Sequence, residues 1–575
     1  MTFRTAWLIL VACLAVSLVV GAMAALNTAL PGIAAHTHAT NTQMNWILDG
    51  YTLVLAAFLL PAGAIGDRFG RREVLMIGVV VFGLASLGPI WFDSPTELIA
   101  SRLISGFGAA LIMPATLSLI TSGVPHSKRA LGVSIWASIA GVGAIIGFLV
   151  TGTLLEFFTW KSVFVTFALA AAGVLVLALT IGSSKDAHPG RFDLLGSITS
   201  VLAVAGVVFG LLEAPIRGWS DPLVLIGLIG GVALAVAYVC TELRVSDPLL
   251  NVRLFRNRAF ASGSLSVAMQ FLATFGLFYL LLQLLQLVYG YSPLKSAFAL
   301  GPMILCTGIF ALLGNWIAVR FNALRLMIGG GLLIAAAGVL IIGTVDADHY
   351  WKLAVMLVIC ASGVGLATSP STTAIMSNTP LNNQGVGSAV NDTARELGAA
   401  IGIALAGSIM AAGYEQRIGP TAGAVREQLG AAGDPAAAAR AADGVEGSLA
   451  GATQVAAELR ESAHADPAVP AQVTDQLTGL AARIQAEAQG AFLPPMQNAA
   501  VVLGCILLAG ALFLAWYTPM QVFSPDSEFA QTDVDAAPPD QTGPDDTAPG
   551  APRAETASDD GPVPSAHGAR HHRRP

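Results

Sequence analysis

The sequence predicts an all-α polytopic membrane protein, and three observations carry that prediction. Of the 575 residues, 55% are hydrophobic and 11% charged, where a soluble globular domain carries roughly 25% charged residues. Apolar blocks of about 20 residues recur almost from end to end, and each is long enough to span a bilayer. Most of these blocks lack the polar stripe at 3.6-residue period that a helix lying on a soluble core would show. A large soluble all-α protein does not fit such block lengths.

Taken in order, the blocks give about fourteen spans. They begin near Trp7, Trp46, Val74, Leu98, Ala130, Ser162, Leu194, Pro222, Phe260, Ala297, Leu326, Leu353, Val386 and Asn498. The first follows Arg4 and runs to Leu30 without a small-residue cleavage site, so it reads as a retained span and not a signal peptide. Arg68, Arg71, Arg72, Lys128, Arg129, Lys185, Arg191, Arg244, Arg253, Arg256, Arg258, Arg320 and Arg325 fall on one side, with Arg4. Short loops on the other side hold Lys161, Arg217, Lys295 and Lys352. Positive residues collect on the cytoplasmic side of a membrane, which puts both termini inside and requires an even number of spans.

The expected division is a six-helix bundle over 1–182, two linker helices and a cytoplasmic loop over 183–258, and a second six-helix bundle over 259–518. The latter contains a long outer polar loop, 414–490. It is Ala-rich with scattered charge, as in Val455 to Ala463 and Leu480 to Ala488, and suits amphipathic helices capping the outer face, or disorder. Residues 519–575 read as a disordered cytoplasmic tail, rich in Pro, Asp, Gly and Ala. The tail holds ten acidic residues from Asp526 to Asp560 against Arg553, Arg570, Arg573 and Arg574. It therefore carries about six of the chain's seven net negative charges, and the acidity says little about a substrate. Its closing His571-His572-Arg573-Arg574 reads as inert. Cys13, Cys240, Cys306, Cys360 and Cys505 lie in apolar blocks without ligand spacing, which suits buried packing and no disulfide framework.

Gly63-Ala64-Ile65-Gly66-Asp67-Arg68-Phe69-Gly70-Arg71-Arg72 is the strongest local motif. Its glycines allow close helix approach, and Gly70 allows positive φ. Asp67 can pair with an arginine or sit on a helix N-terminus, closing the inner face. The plain alternative is a positive-inside anchor. Val319-Arg320-Phe321-Asn322 after the tenth span echoes Asp67-Arg68-Phe69-Gly70, as in transporters built of two helical halves around a midplane site.

The decapeptide resembles the signature loop of the major facilitator superfamily. More of the chain resembles that superfamily's fourteen-helix drug:proton antiporters, the quaternary-ammonium-compound efflux proteins of the QacA type. Trp46 to Leu53 resembles their second span, and Arg102 to Pro114 their fourth. Glu213 to Pro222 resembles the loop between the two extra helices. Asp247 to Leu250 and Arg253 to Phe260 resemble the approach to the second half. The resemblance covers roughly Ala22 to Tyr517 and implies the major facilitator fold, two six-helix bundles with two extra helices between them.

Ionisable residues inside spans are the functional candidates, since a carboxylate at helix-centre depth costs about 2.5–3.5 kcal/mol on insertion scales. Asp49 lies near the outer end of span two. Span thirteen holds Asp392, Arg395 and Glu396, and a rise of 1.5 Å per residue from Val386 puts Glu396 roughly 15 Å deep. Asp392 and Glu396 are i, i+4 and share a face, which suits exchange of a proton for a cation. A structural Asp392–Arg395 ion pair is the alternative, leaving Glu396 as the titrating group; Asp49 would alternatively be an exposed helix-end carboxylate. The resemblance implies that acidic residues in these two helices serve proton coupling and cation recognition, and that Arg102 in span four serves proton coupling. Trp46, Tyr51, Phe58, Met113, Trp136, Met269 and Phe310 suit a greasy cavity for lipophilic cations, with lipid-facing or core packing the alternative for each.

The sequence departs from the family at three places. Ala22 stands where the first-span pattern carries an aspartate before Asn27-Thr28-Ala29-Leu30-Pro31. Thr307 stands where some multivalent-cation exporters carry an aspartate. In the fifth span, Gly143 to Gly152 has Phe148 for the usual proline and Thr151 for a glycine. These departures count against divalent substrates and against a kinked fifth span.

The implied function is proton-coupled export of lipophilic cationic drugs, dyes and quaternary ammonium compounds across the cytoplasmic membrane. The partners are small lipophilic cations, protons and the lipid bilayer, with no nucleic acid, no cofactor and no metal, and with the monomer as working unit. No Walker loop, zinc pattern or nucleophile elbow suggests an enzyme. A dedicated exporter of one metabolite, antibiotic or lipid is the second reading, and a sensor or scaffold working through the acidic tail is the third.

Overall fold

Backbone N–H and C=O groups have no water to pair with in hydrocarbon, so a chain this apolar folds as helices that satisfy themselves. The computed structural model describes residues 2–37, 39–184, 192–343, 349–430, 434–465 and 471–522. The acidic tail from 523 onward, whose disorder and inert end were expected above, lies outside them, as do Lys185 and Arg191. Among the described residues there is no β-strand.

The helices in the first part are α1 (Phe3–Thr37), α2 (Asn41–Phe69), α3 (Arg71–Trp91), α4 (Pro95–Gly123), α5 (His126–Phe157) and α6 (Lys161–Ala178). Two apolar helices follow, α7 (Leu194–Arg217) and α8 (Pro222–Glu242). Then come α9 (Arg258–Gln283), α10 (Pro293–Ala299), α11 (Gly301–Arg320), α12 (Gly331–Ile342), α13 (Tyr350–Ser377) and α14 (Gln384–Gly430). The last are α15 (Pro435–Gly447), α16 (Leu449–Ala465) and α17 (Ala471–Tyr517). Several starts are capped as their sequences dictate. Thr40 and Gln43 form a reciprocal capping box on α2, and Asp193, Asp221 and Asn257 cap α7, α8 and α9.

Among the described residues, twelve helices are long and apolar enough to cross a membrane, not the fourteen expected. The two other apolar stretches, Ile146–Phe157 within α5 and Leu326–Ile342, are shorter. Even the longer of them rises only about 26 Å, under the roughly 30 Å of a hydrocarbon core. The expectation for the cysteines also needs correction. All five are free, but only Cys13 and Cys360 are buried, while Cys240 and Cys505 are exposed on helix surfaces.

The described residues of the polar region 414–490 are largely helical. α14 continues into it as far as Gly430, α15 and α16 fold back, and α17 begins in it. Tyr414, Ile418, Val425, Val445, Leu449, Ile484 and Phe492 are buried in one cluster. The Tyr414 hydroxyl donates to the Val445 carbonyl at 3.2 Å. Alanine supplies the thin faces that let four such helices pack.

Glycine sets the closest helix approaches. A side chain at Gly147 on α5 would collide with the Gly21 backbone of α1, and one at Gly63 on α2 with the Gly385 carbonyl of α14. Phe148, standing where the family has proline, tilts against Phe278 of α9 with ring centroids 5.5 Å apart. The echo between the two halves extends to backbone shape. Gly70 has φ 115°, and Asn322, at the matching place in the echo, has φ 49°.

Gly147→Leu should destabilise the protein by roughly 1–3 kcal/mol, since overpacking has no relief against backbone. Gly173→Ala, into open space, should change stability by under about 0.5 kcal/mol. Thermal unfolding of the purified variants in detergent checks both. Equal melting temperatures for Gly147→Leu and the parent would contradict the close α1–α5 contact.

Candidate transport site

The turn between α2 and α3 builds a charged contact to α14. The Asp67 side chain, on a residue 5% exposed, accepts from Arg71 Nη2 at 2.6 Å and Nε at 2.9 Å. It also accepts from the backbone N–H groups of Gly385 at 2.8 Å and Val386 at 3.1 Å. Asp67 therefore holds an arginine and a helix N-terminus at once, where negative charge is favoured. Arg71 donates further to the Leu381 carbonyl at 3.1 Å and to Ser184 Oγ at 3.3 Å. Gly70 makes the reversal between the two helices, and Gly63 allows α14 its approach. Arg68 is only half-buried and lies 5.7 Å over the Phe69 ring.

α14 carries Asp392, Arg395 and Glu396 within two turns, with exposures of 0%, 2% and 7%. Asp392 Oδ1 accepts from Asn391 Nδ2 at 3.1 Å, and Asn391 Oδ1 accepts from Thr372 Oγ1 at 3.1 Å. Asp392 Oδ2, Glu396 Oε2 and Arg395 Nε have no hydrogen-bond partner. The ion pair weighed above between Asp392 and Arg395 is not formed. Arg395 turns instead between two rings, 4.8 Å from the Trp136 centroid on α5 and 5.1 Å from that of Phe271 on α9. Its Nη2 stands 3.5 Å from Thr372 Oγ1 on α13. Trp136 is fixed by its own indole N–H, which donates to Thr116 Oγ1 at 2.9 Å.

Arg102 on α4 is also buried. It stands 4.2 Å over the Tyr51 ring and donates from Nε to the Ile47 carbonyl at 3.1 Å. The Tyr51 hydroxyl donates to the Val19 carbonyl at 3.0 Å. Asp49 does not join this group. Two residues before Tyr51, it lies on another face of α2, as 100° per residue requires. It lines a small cleft with Asn45, Trp46, Leu53, Phe209, Leu212 and Glu213. There Trp46 and Phe209 are 6.2 Å apart, and Glu213 pairs with Arg217 at 2.6 Å.

The other aromatic and Met candidates divide. Phe58 packs edge-on to Phe107 at 5.1 Å, Met113 is buried in the core, and Met269 packs on Gly510. Phe310 is half-buried beside Gly365. Of the set, Tyr51 and Trp136 stand with the charges. The sequence reading missed Phe271, Thr116, Asn391 and Thr372. It also missed a buried polar chain between α9 and α13, in which Gln270 donates to Ser266 at 2.9 Å and accepts from Thr368 at 2.5 Å. The available signal was Ser266 and Gln270 at i, i+4, opposite hydroxyls recurring through 368–373. Among the described residues no group of three or more His, Cys, Asp or Glu could hold a metal ion.

Buried, incompletely satisfied charges within a bundle of helices long and apolar enough to cross a membrane suit a transporter. The chain belongs to the Major Facilitator Superfamily, whose family model matches residues 12–403. It is 33% identical to the multidrug efflux pump LfrA of Mycolicibacterium smegmatis, over 84% of this chain and 90% of that one. It is 29% identical to the methyl viologen resistance protein SmvA of Salmonella typhimurium, over 70% of this chain and 82% of that one. In structure it is similar to the proton:xylose symporter XylE, with TM-score 0.53 and 15% identity, covering 91% of this chain and 97% of that one. This last likeness is one of fold.

Asp67→Asn should loosen the contact between the α2–α3 turn and the N-terminal end of α14, because Arg71 is left buried without its partner charge, a loss of about 3–5 kcal/mol for a broken buried pair. A cysteine placed at the buried Ser388, with native cysteines removed, should then react faster with a water-soluble maleimide. Unchanged reactivity would show that Asp67 is not what holds this end shut.

Proposed function

We propose that the protein is a proton-coupled antiporter that exports lipophilic cations across the cytoplasmic membrane. The observation that carries this reading is the pair Asp392 and Glu396, buried on one face of α14 with unsatisfied oxygens and no cationic side chain bonded to them. A carboxylate in that position either takes a proton or takes a cation. One group that does both, in turn, exchanges the two without a nucleotide. The aromatic rings of Trp136, Phe271 and Tyr51 beside it suit an apolar body with a positive charge. LfrA is a multidrug efflux pump and SmvA a methyl viologen resistance protein, which supports drug efflux; methyl viologen is an organic dication, so that likeness supports a cationic substrate and not a single charge.

In this reading the Asp67 contact closes the cytoplasmic end, both termini are cytoplasmic, and the monomer is the working unit. Ile146–Phe157 with the rest of α5, and Leu326–Ile342, complete fourteen spans. α1–α6 and α9–α17 form the two bundles, with α7 and α8 between them. A proton arriving from outside neutralises Glu396 or Asp392 and releases the cation outward. Arg102 serves the same proton relay through Tyr51. Asp49, in its separate cleft, offers a second negative charge to a cation near the outer end of α2.

Singly charged substrates fit best. Ala22 is fully buried with no carboxylate to offer, and Thr307 gives its hydroxyl to the Met303 carbonyl at 2.9 Å. Glu396→Gln should reduce ethidium efflux from energised cells at least tenfold at unchanged protein level, and Asp392→Asn should do the same. Efflux by both variants at the parent rate would refute the exchange mechanism. A panel of mono- and dications should give stronger resistance to the monocations; the reverse order would refute the charge assignment.

A further inference from the structure

Arg395 holds a position that its own helix gives no reason for. Asp392 lies three residues before it and Glu396 one after, and a buried guanidinium normally takes the nearest carboxylate. It bonds to neither. It fills the gap between the Trp136 ring of α5 and the Phe271 ring of α9, with Nε unpartnered. Trp136 is locked in place by Thr116 and fully buried, so the slot keeps its shape from outside Arg395. A flat cation between two aromatic faces is also the arrangement in which an aromatic or quaternary cation would be bound.

We propose that Arg395 is a built-in surrogate for the substrate cation: it occupies the Trp136–Phe271 slot when the site is empty, and an incoming lipophilic cation displaces it onto Asp392 and Glu396. This rests on the cation-export reading above and gives that reading a coupling step. The displaced guanidinium brings a positive charge to the acidic pair. The carboxyl proton is then the less stable occupant and leaves to water, while the guanidinium keeps its own protons. No bond other than that O–H bond is broken. On release of the cation, reprotonation of the pair frees Arg395 to return to the rings. The remaining charged or titratable groups at the site are Tyr51 from α2 and Arg102 from α4, which face each other. α5, α9 and α13 contribute Trp136, Phe271 and Thr372, none of which ionises in the working range.

The slot spans the two halves of the chain: α5 and α9, which also touch directly through Phe148 and Phe278, both contact the guanidinium. Its tenant therefore matters to the closed conformation as well as to binding. A charge that belongs to the protein holds the halves together in the absence of substrate, and a substrate that replaces it preserves the bridge. The device explains why a positive side chain sits inside a site for positive ligands. It is a competitor of fixed concentration, and it sets a threshold that only cations with aromatic affinity pass.

The test uses purified full-length protein in lipid nanodiscs, with tetraphenylphosphonium as probe, reading binding by calorimetry and proton release with a pH dye in weak buffer. Parent protein should bind the probe and release protons. Arg395→Gln should bind at least as tightly, because the competitor is gone, yet release at least fivefold fewer protons per bound probe. Arg395→Lys, with a charge but a poorer fit between rings, should restore part of the release. Trp136→Leu and Phe271→Leu should each weaken binding at least tenfold. Full proton release from Arg395→Gln would overturn the proposal, as would parent-like binding by both ring variants. Loss of binding in Arg395→Gln with an unchanged melting temperature would also overturn it, making the arginine part of the substrate's own site. Absence of any binding or proton release in the parent would instead refute the export reading on which the proposal stands.

Discussion

Three charges carried into the bundle by two turns of α14 set the terms for everything around them. Helix α14 cannot bury Asp392, Arg395 and Glu396 in hydrocarbon unless its neighbours come close enough to exclude lipid and offer polar or aromatic surface. They do so through glycine. Gly385 faces Gly63 of α2, while Gly398 and Gly402 lie against the backbone of Ala268 and Leu272 on α9. The charged stretch lies between these contacts. The approach of α9 also delivers Phe271, one residue beyond Gln270, to the guanidinium. The same small residues that pack the helix thus build the site's wall.

The two kinds of buried carboxylate in this molecule show how burial and function separate. Asp67 is met by four donors from two other helices, α3 and α14, two of them on the charged Arg71, and such an anion is a structural lock. Asp392 and Glu396 are as deeply buried, yet retain oxygens with no partner and have no cation bonded to them. Leaving a buried polar atom unmade costs about 1–3 kcal/mol, more where charge is involved. A fold that places four donors on one aspartate and leaves two other carboxylates wanting has not run out of donors. Arg395 is within its own helix's reach and is held elsewhere.

Much of this was legible in the sequence, for reasons that are local. The apolar blocks and the Asp67 to Arg71 motif act over a few residues, so composition and spacing carry them. Gly70 is a clear case: a turn of one residue between two helices leaves little choice but positive φ. Asp392 and Glu396 could be put on one face because 3.6 residues per turn is fixed. What spacing could not show is which partner wins among several. The i, i+3 rule favours an Asp392–Arg395 pair, and two rings from helices more than a hundred residues earlier in the chain outcompete it. Asp49 shows the same limit: its direction depends on where α7 packs, and the cleft it lines contains a residue of α7, Glu213, which spacing alone had placed only in a loop motif. The short span near Leu326 shows a further limit, since length alone cannot say whether a stretch of 17 residues crosses.

The lock and the site are joined by geometry. Val386, whose N–H group meets Asp67, and Glu396 are ten residues apart on one unbroken helix, about 15 Å along a rod that does not bend without a proline or an inserted group. The proline inside α14 is Pro420, beyond both. A displacement of the N-terminus of α14 from Asp67 is therefore passed to Asp392, Arg395 and Glu396 with little loss. Conversely, any change of partner at Arg395 pulls on the helix that Asp67 caps. The rings that hold Arg395 belong to α5 and α9, so the rod is anchored at one end by the turn between α2 and α3 and, about a quarter of the way along, by both halves of the chain. Two anchors on one stiff element cannot be released independently. A transporter needs that constraint, because opening one end while the site holds its charge unchanged would give leak in place of exchange.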